Sequence, residues 1–463
     1  MAAIESDSQE LLRERNDVLN VSLNLATGHD VKGLHVPDEV FGEIFIQCLP
    51  PSRFVVPSRS AAPLSVASVN SRWREAALAT PQLWQSLAID ACTRALLRGL
   101  GYANFCSTWL SRAGGFPLSL SLRASGVPVE ATNWLTDYIR GSSHLLREVD
   151  LQFGAVRQIL SFPPAKYPLL ETVSIDMPED GILISFLDAP SLRQVSLSKY
   201  TAHVHLRRQQ LTSFRCDSID VLPMLGFFRE AKELVHGRFT LGHRWGTESP
   251  QTIHSLPRLR SLMLEAKEVR DHWQVGVIPK MMKALANLRT PALEDLTLIY
   301  PLRNMRQPQD ETVSRPFTTF VGQTPFQLHT LTLSFMPVST STLIICLRAT
   351  PSVAHLKLLP TTDTDLRVFF NKLVDSPHLL PRLESFHLVN ESGARNPTPE
   401  ALIEVLSWRW GASIDVVQLR SFRMAVMNSI QNSRMIANIE SQPRFEELKE
   451  EGMELYVETV DIL

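Results

Sequence analysis

One short pattern, repeated along most of this chain, limits what it can fold into. The unit is L-x-x-φ-x-φ, with φ apolar. It occurs at Leu146-x2-Val149-x-Leu151, Leu170-x2-Val173-x-Ile175, Leu192-x2-Val195-x-Leu197 and Leu211-x2-Phe214-x-Cys216. It recurs at Leu259-x2-Leu262-x-Leu264, Leu293-x2-Leu296-x-Leu298, Leu328-x2-Leu331-x-Leu333, Val353-x2-Leu356-x-Leu358 and Leu383-x2-Phe386-x-Leu388. Weaker copies sit near Leu234 and at Ile414-x2-Val417-x-Leu419. Each φ-x-φ pair alternates with period two, so each copy predicts a strand with one face turned inward. A second mark accompanies the first. Pro168, Pro190, Pro257, Pro291, Pro351 and Pro381 each lie two residues before the first apolar position, and Pro325 lies three before. Random apolar triplets would not bring their own proline, so the prolines punctuate loops ahead of strands.

Neighbouring copies are 19 to 35 residues apart. The stretches between them read as helices, as in Thr340-Ser-Thr-Leu-Ile-Ile-Cys-Leu, Asp365-Leu-Arg-Val-Phe-Phe-Asn-Lys-Leu and Pro399-Glu-Ala-Leu-Ile-Glu-Val-Leu. One strand and one helix per unit resembles a leucine-rich repeat. That resemblance implies an α/β solenoid, with parallel strands lining a horseshoe and helices on its convex side. The fixed asparagine or cysteine of regular repeat families is missing. Ahead of the repeats, Tyr102-x2-Phe105-x3-Trp109 predicts a helix ending at Gly114-Gly115, and Pro117-Leu-Ser-Leu-Ser-Leu122 predicts a strand. At the far end, Phe445–Gly452 and Leu455–Val457 predict a last helix and strand.

Residues 34–90 have a different character. Val36-Pro-Asp-Glu-Val-Phe-Gly-Glu-Ile-Phe-Ile-Gln-Cys-Leu49 predicts a short helix with Pro37 in its first turn and Asp38 and Glu39 at the positive end of its dipole. Val40, Phe41, Ile44, Phe45, Cys48 and Leu49 form an apolar stripe, and Pro50-Pro51 ends the helix. A second helix is expected with Val66, Val69, Trp73, Ala76 and Ala77 on one face. Thr80-Pro81 then caps a third turn carrying Leu83 and Trp84. This arrangement, Val36-Pro-Asp-Glu-Val-x3-Ile44-Phe, a loop, Leu64, Val69-Asn-Ser-Arg-Trp73-Arg-Glu-Ala-Ala and Leu83-Trp84, resembles an F-box, in particular that of a large group from mushroom-forming fungi. Val36 stands where that group usually has leucine, and the loop at 50–62 is longer than in many members.

The expected fold class is therefore α/β, a small N-terminal helical F-box followed by a leucine-rich-repeat-like solenoid. Residues 1–33 would be an N-terminal helix and tail, because Ile4, Leu11, Val18 and Leu25 recur every seven residues. Residues 34–90 would be the F-box, 91–145 a linker and solenoid cap, and 146–463 the substrate-binding solenoid.

Composition removes other classes. Lys plus Arg is 46 and Asp plus Glu is 48, a net charge of −2 over 463 residues, so no basic excess points to nucleic acid. No apolar run approaches the ~18 residues of a membrane span, and the acidic start does not read as a secretory signal. Cys48, Cys92, Cys106, Cys216 and Cys346 are widely spaced, which predicts reduced thiols in the cytoplasm or nucleus. Phosphate-loop, dinucleotide-binding, nucleophile-elbow and zinc-protease motifs are all missing from the sequence. His203-Val-His205 reads as a solvated edge, Asp363 or Asp365 as a helix cap, and Trp408-Arg-Trp410 as helix packing. No cofactor, metal or catalytic residue is expected.

The F-box resemblance implies a substrate receptor of a Skp–cullin–F-box ubiquitin ligase, docking on a Skp-type adaptor and through it on cullin and a RING subunit. Carried onto this chain, the adaptor-binding residues would be Val36, Pro37, Val40, Ile44, Phe45, Leu49, Leu64, Val69 and Trp73. Trp73 either touches the adaptor or holds the helices together while Val40, Ile44 and Leu49 make the contact. In the repeats, residues flanking the φ positions face away from the core. Exposed apolar and basic groups gather there from Met263 onward, with Ile299, His355, Lys357, Leu359, His387 and Val389. Two readings stand: the C-terminal helix folds back over this face, or the face binds a protein substrate, with His355, Lys357 and His387 favouring an acidic segment. A different class of function, a leucine-rich-repeat scaffold with no part in ubiquitination, fits the same residues.

Overall fold

A computed structural model describes residues 37–90, 100–123, 141–152, 166–176, 184–201, 203–242, 252–266, 277–300, 309–323, 327–376, 378–411 and 416–460. The expected N-terminal helix at 1–33, Val36, Cys92 and Ile414 lie outside them. The chain divides into two compact units, Met1–Leu192 and Arg193–Leu463.

The first unit opens with helices α1 (Asp38–Gln47), α2 (Leu64–Ala67) and α3 (Ser71–Leu78), then a 3-10 turn at Pro81–Trp84. The single second helix expected from the sequence is two helices. Asn70 takes an extended backbone, and its side chain accepts a hydrogen bond from Trp73 N at 2.8 Å, starting α3 anew. Val66 is therefore buried while Val69 is exposed. Thr80 does not cap with its side chain; its hydroxyl donates to Ala76 O. Phe41, Phe45 and Trp73 pack together, with the Phe45 and Trp73 ring centres 5.1 Å apart. Gly42 allows this close packing, because a methyl group there would lie 2.8 Å from Thr80 Oγ1.

Strand β1 (Ser86–Asp90) follows within the segment expected to be helical, with Trp84, Leu87 and Ile89 at the repeat's own spacing. It pairs in parallel with β2 (Leu118–Arg123), β2 with β3 (Leu146–Gln152), and β3 with β4 (Thr172–Ile175). Helix α4 (Leu100–Ser111) precedes β2 and ends where Gly114 and Gly115 take positive φ, 58° and 89°. Trp84 and Trp109 meet edge to face at 4.9 Å.

The second unit is a run of parallel strands. In order these are β5 (Gln194–Leu197), β6 (Ser213–Ile219), β7 (His236–Leu241), β8 (Ser261–Ala266), β9 (Asp295–Ile299), β10 (Thr330–Ser334), β11 (His355–Leu359), β12 (Ser385–Asn390), β13 (Ser421–Met427) and β14 (Glu454–Val460). Each pairs with the next, so spatial order follows chain order, as in a solenoid. The φ positions align into continuous buried rows: Leu262, Leu296, Leu331, Leu356, Phe386 and Phe422 stand in register from β8 to β13. The prolines have a turn geometry. In Leu256-Pro257-Arg258-Leu259, Thr290-Pro-Ala-Leu293, Thr350-Pro-Ser-Val353 and Leu380-Pro-Arg-Leu383, the fourth residue's N–H donates to the first residue's carbonyl. Proline's fixed φ suits the second position of such a turn. The residue after the turn donates to its counterpart in the preceding copy, as Glu294 N does to Arg260 O and Glu384 N to Ala354 O, both at 2.8 Å.

The penultimate copy lies five residues further on than its expected register. Leu419-x2-Phe422-x-Met424 forms β13, and Val417 is exposed. Leu419 is buried, and its side chain takes the place expected of Ile414.

Helices α5 (Val221–Glu230), α6 (Val277–Ala286), α7 (Asp310–Gln323), α8 (Thr340–Arg348), α9 (Leu366–Asp375), α10 (Pro399–Trp410), α11 (Ile430–Glu440) and α12 (Pro443–Glu450) follow their strands and pack each against the next. Helices α8 to α11 start with side-chain caps from Ser339, Asp365, Thr398 and Ser429, which bears out the capping role read for Asp365. Between helices and strands lies a core rich in aromatic rings. Phe227 and Phe228 of α5 meet Phe214 and Phe239, and Phe370 of α9 meets Phe386 and Phe422. In Trp408-Arg-Trp410 the buried member is Arg409. Its guanidinium donates to the carbonyls of Leu379 and Leu380 and lies 4.9 Å from the Trp408 ring centre.

Candidate protein-binding surfaces

Two sets of side chains were singled out by sequence, one in each unit. In the first unit, α1 and α3 bury one face and leave another in water. Phe45, expected on the exposed stripe, is 0% exposed, and Trp73 is 6% exposed. Both face Phe41 in the core, so their work is to hold α1 against α3. Val40 is 43% and Val69 46% exposed, and Ile44, Leu49 and Leu64 are half-buried. Pro37 is exposed at the start of α1. Asp38 pairs with Arg72 at 3.0 Å, and Arg72 lies over the Phe41 ring, tying the two helices together from outside. Among charged neighbours such as Glu39, Glu43 and Arg74, Val40 and Val69 are aliphatic side chains left accessible on this frame.

In the second unit, the strand residues between the φ positions form rows on the sheet face opposite the buried one. One row reads Arg215, Arg238, Met263, Thr297, Thr332, Lys357, His387, Arg423, Tyr456 in register from β6 to β14. Met263 and His387 are half-buried, and Lys357, Arg423 and Tyr456 are exposed. His355 is exposed in the row before it; Ile299 and Leu359 are half-buried in the row after. Val389, in that later row, is buried, unlike its expected place in water. Just beyond it the Asn390 side chain closes a loop, accepting from Ala394 N at 3.1 Å and donating to Ala394 O at 2.8 Å.

The C-terminal helix does not fold over this face. Helix α12 packs against α10 and α11, and the chain returns to the sheet as β14.

Beyond Lys357 and His387 the row continues onto two residues that the sequence-derived set lacks. Arg423, on a copy whose register the sequence obscures, pairs directly with His387, and Tyr456 pairs with Arg423 one strand further on. Arg423 lies over the Tyr456 ring at 4.8 Å. Burial, then the charges of Lys357 and Arg423, depress the His387 imidazole below its ordinary value, against a weaker pull from Glu458.

Elsewhere the chemistry is sparse. His203 and His205 are exposed. Among the described residues no group of three His, Cys, Asp or Glu side chains is placed to hold a metal ion. Cys106, Cys216 and Cys346 are buried, Cys48 is half-buried, and none of these four forms a disulfide. Burial pushes the Cys346 thiol up to about 12, the opposite of what a nucleophile needs. No described helix is long and apolar enough to cross a membrane. The chain matches no family model, and no curated protein matches it either.

Proposed function

We propose that this chain is the substrate-recognition subunit of a Skp–cullin–F-box type ubiquitin ligase. Residues 34–90 contain an F-box that docks on a Skp-type adaptor, and the repeats of the second unit hold a protein substrate. The reading rests on its resemblance to F-box sequences. The observation that carries it is the exposure of Val40 and Val69 on a small helical frame whose own core is already filled by Phe41, Phe45 and Trp73. Apolar side chains exposed together as a patch, rather than scattered singly, mark a partner site. No step of covalent chemistry is assigned to the chain. It acts by raising the effective concentration of substrate near the ubiquitin-charged enzyme.

The test uses the full chain with a recombinant Skp-type adaptor. Val40→Asp and Val69→Asp place a charge in a dry interface, so each weakens adaptor binding by at least about tenfold. Both side chains are exposed, so folding is preserved. Unchanged adaptor binding in both variants rejects the interface. Adaptor binding without cullin recruitment assigns the chain to the scaffold class instead.

A further inference from the structure

The open face of the second unit carries five basic side chains in one row, and they are not treated alike. Arg215 is matched by Asp217 at 3.0 Å, and Arg238 by Glu265 at 3.8 Å. Lys357, His387 and Arg423 sit at directly paired positions on β11, β12 and β13, and none of them joins an ion pair among the described residues. Parallel neighbours stand ~4.8 Å apart, and like charges at paired positions repel. The imidazole is thus held between an ammonium and a guanidinium, with Glu458 the carboxylate that acts on it from β14. His355 stands two residues before Lys357 on the same strand, in the neighbouring row.

The surroundings narrow the occupant. Tyr456 borders the row and is 53% exposed, while Ile299 and Leu359 leave apolar surface beside it. Asp295 and Glu454 on the row before and Glu458 on the row after confine the positive charge to the one row, which suits a few spaced carboxylates and not an unbroken run of phosphates. A segment combining carboxylates with apolar side chains fits both features.

We propose that Lys357, His387 and Arg423, in register on three adjacent strands and flanked by Tyr456, seat the carboxylates of an acidic, partly apolar protein segment, and that filling the seat places a proton on His387. The proposal rests on reading the second unit as the substrate surface and names the class of segment it takes. In the free chain burial, and then the charges of Lys357 and Arg423, disfavour the protonated imidazole. An arriving carboxylate reverses the local field, so binding takes up a proton. By linkage, affinity then rises as pH falls, by up to about tenfold per unit for one proton.

The probe is a short fluorescein-labelled peptide of glutamates interspersed with leucines, titrated into the full chain from about pH 8 to about pH 6 across the ordinary imidazole range. Binding is expected to tighten on acidification and to weaken with salt. Imidazole NMR should show the His387 titration midpoint rising when peptide is added. His387→Gln should bind with a flat pH profile. Lys357→Gln with Arg423→Gln should weaken binding by about tenfold or more, while raising the His387 midpoint in the free chain. The proposal is overturned if that double variant binds the peptide as the parent does, or if the pH dependence survives in His387→Gln. Stronger binding of a duplex DNA or of a phosphopeptide than of the glutamate peptide also overturns it. No adaptor is present in this assay, so its failure is separate from a failure of the Val40→Asp and Val69→Asp test.

Discussion

Gly237 occupies a slot where the repeat calls for leucine, and replacing it distinguishes a degenerate copy from a filled core. The glycine stands in Leu234-x2-Gly237-x-Phe239 on β7, between Phe214 of β6 and Leu262 of β8. From the repeat alone, Gly237→Leu should stabilise, since glycine within a strand costs ~0.5–1 kcal/mol. The structure predicts the reverse. A methyl group on Gly237 would lie 2.8 Å from Phe239 Cε2 and 3.5 Å from both Leu234 Cδ2 and Leu262 Cδ1. Phe239 cannot easily withdraw, because Phe214 and Phe228 hold its ring at 5.6 and 5.0 Å. Overpacking of this kind costs ~1–3 kcal/mol, more for a whole leucine side chain than for one methyl. Net destabilisation of about 2 kcal/mol is expected after the strand gain is subtracted. The assay is urea unfolding combined with amide exchange over β6 and β8. Combining Gly237→Leu with Phe239→Ala should cost less than the sum of the two, by ~0.5–3 kcal/mol, because leucine fills space the ring vacates. A more stable Gly237→Leu chain, or strictly additive costs, would refute the packing argument.

Two further outcomes follow from the same core. Leu296→Ala removes three buried carbon groups at ~0.8 kcal/mol each, and the residual void brings the loss to ~3–5 kcal/mol. Because each coil touches its neighbours, amide exchange should rise in β8, β9 and β10; an even rise across all strands would contradict a solenoid. Arg409→Met keeps the bulk but leaves the Leu379 and Leu380 carbonyls without their donor, at ~1–3 kcal/mol each; unchanged thermal unfolding would mean that these bonds contribute nothing.

Much of the second unit is legible in the sequence because its signals are local. A period-two pair of apolar residues reports a half-buried strand wherever it occurs, and a proline two places ahead reports a turn. Both survive irregular spacing. The limits of the reading are equally physical. At β7 the pattern weakens because Phe239 uses the volume that a leucine would need. At β13, Ile414-x2-Val417-x-Leu419 and Leu419-x2-Phe422-x-Met424 share Leu419, and apolar spacing alone does not choose between them. In the first unit, Val66 and Val69 fit one continuous helix, but Asn70 takes the backbone out of it.

The binding surfaces divide along the same line. The amino-acid sequence by itself determined that residues 38–47 form an amphipathic helix and that residues flanking each φ pair leave the core, because side-chain direction follows from backbone period. It did not determine which apolar side chains of α1 face inward. Phe41 and Phe45 went to the core because Trp73 offers them a ring to pack on, leaving Val40 in water. Nor did it determine that Lys357, His387 and Arg423 are neighbours. They lie 30 and 36 residues apart along the chain, and only parallel pairing in register brings them into one row, where their charges act on one another.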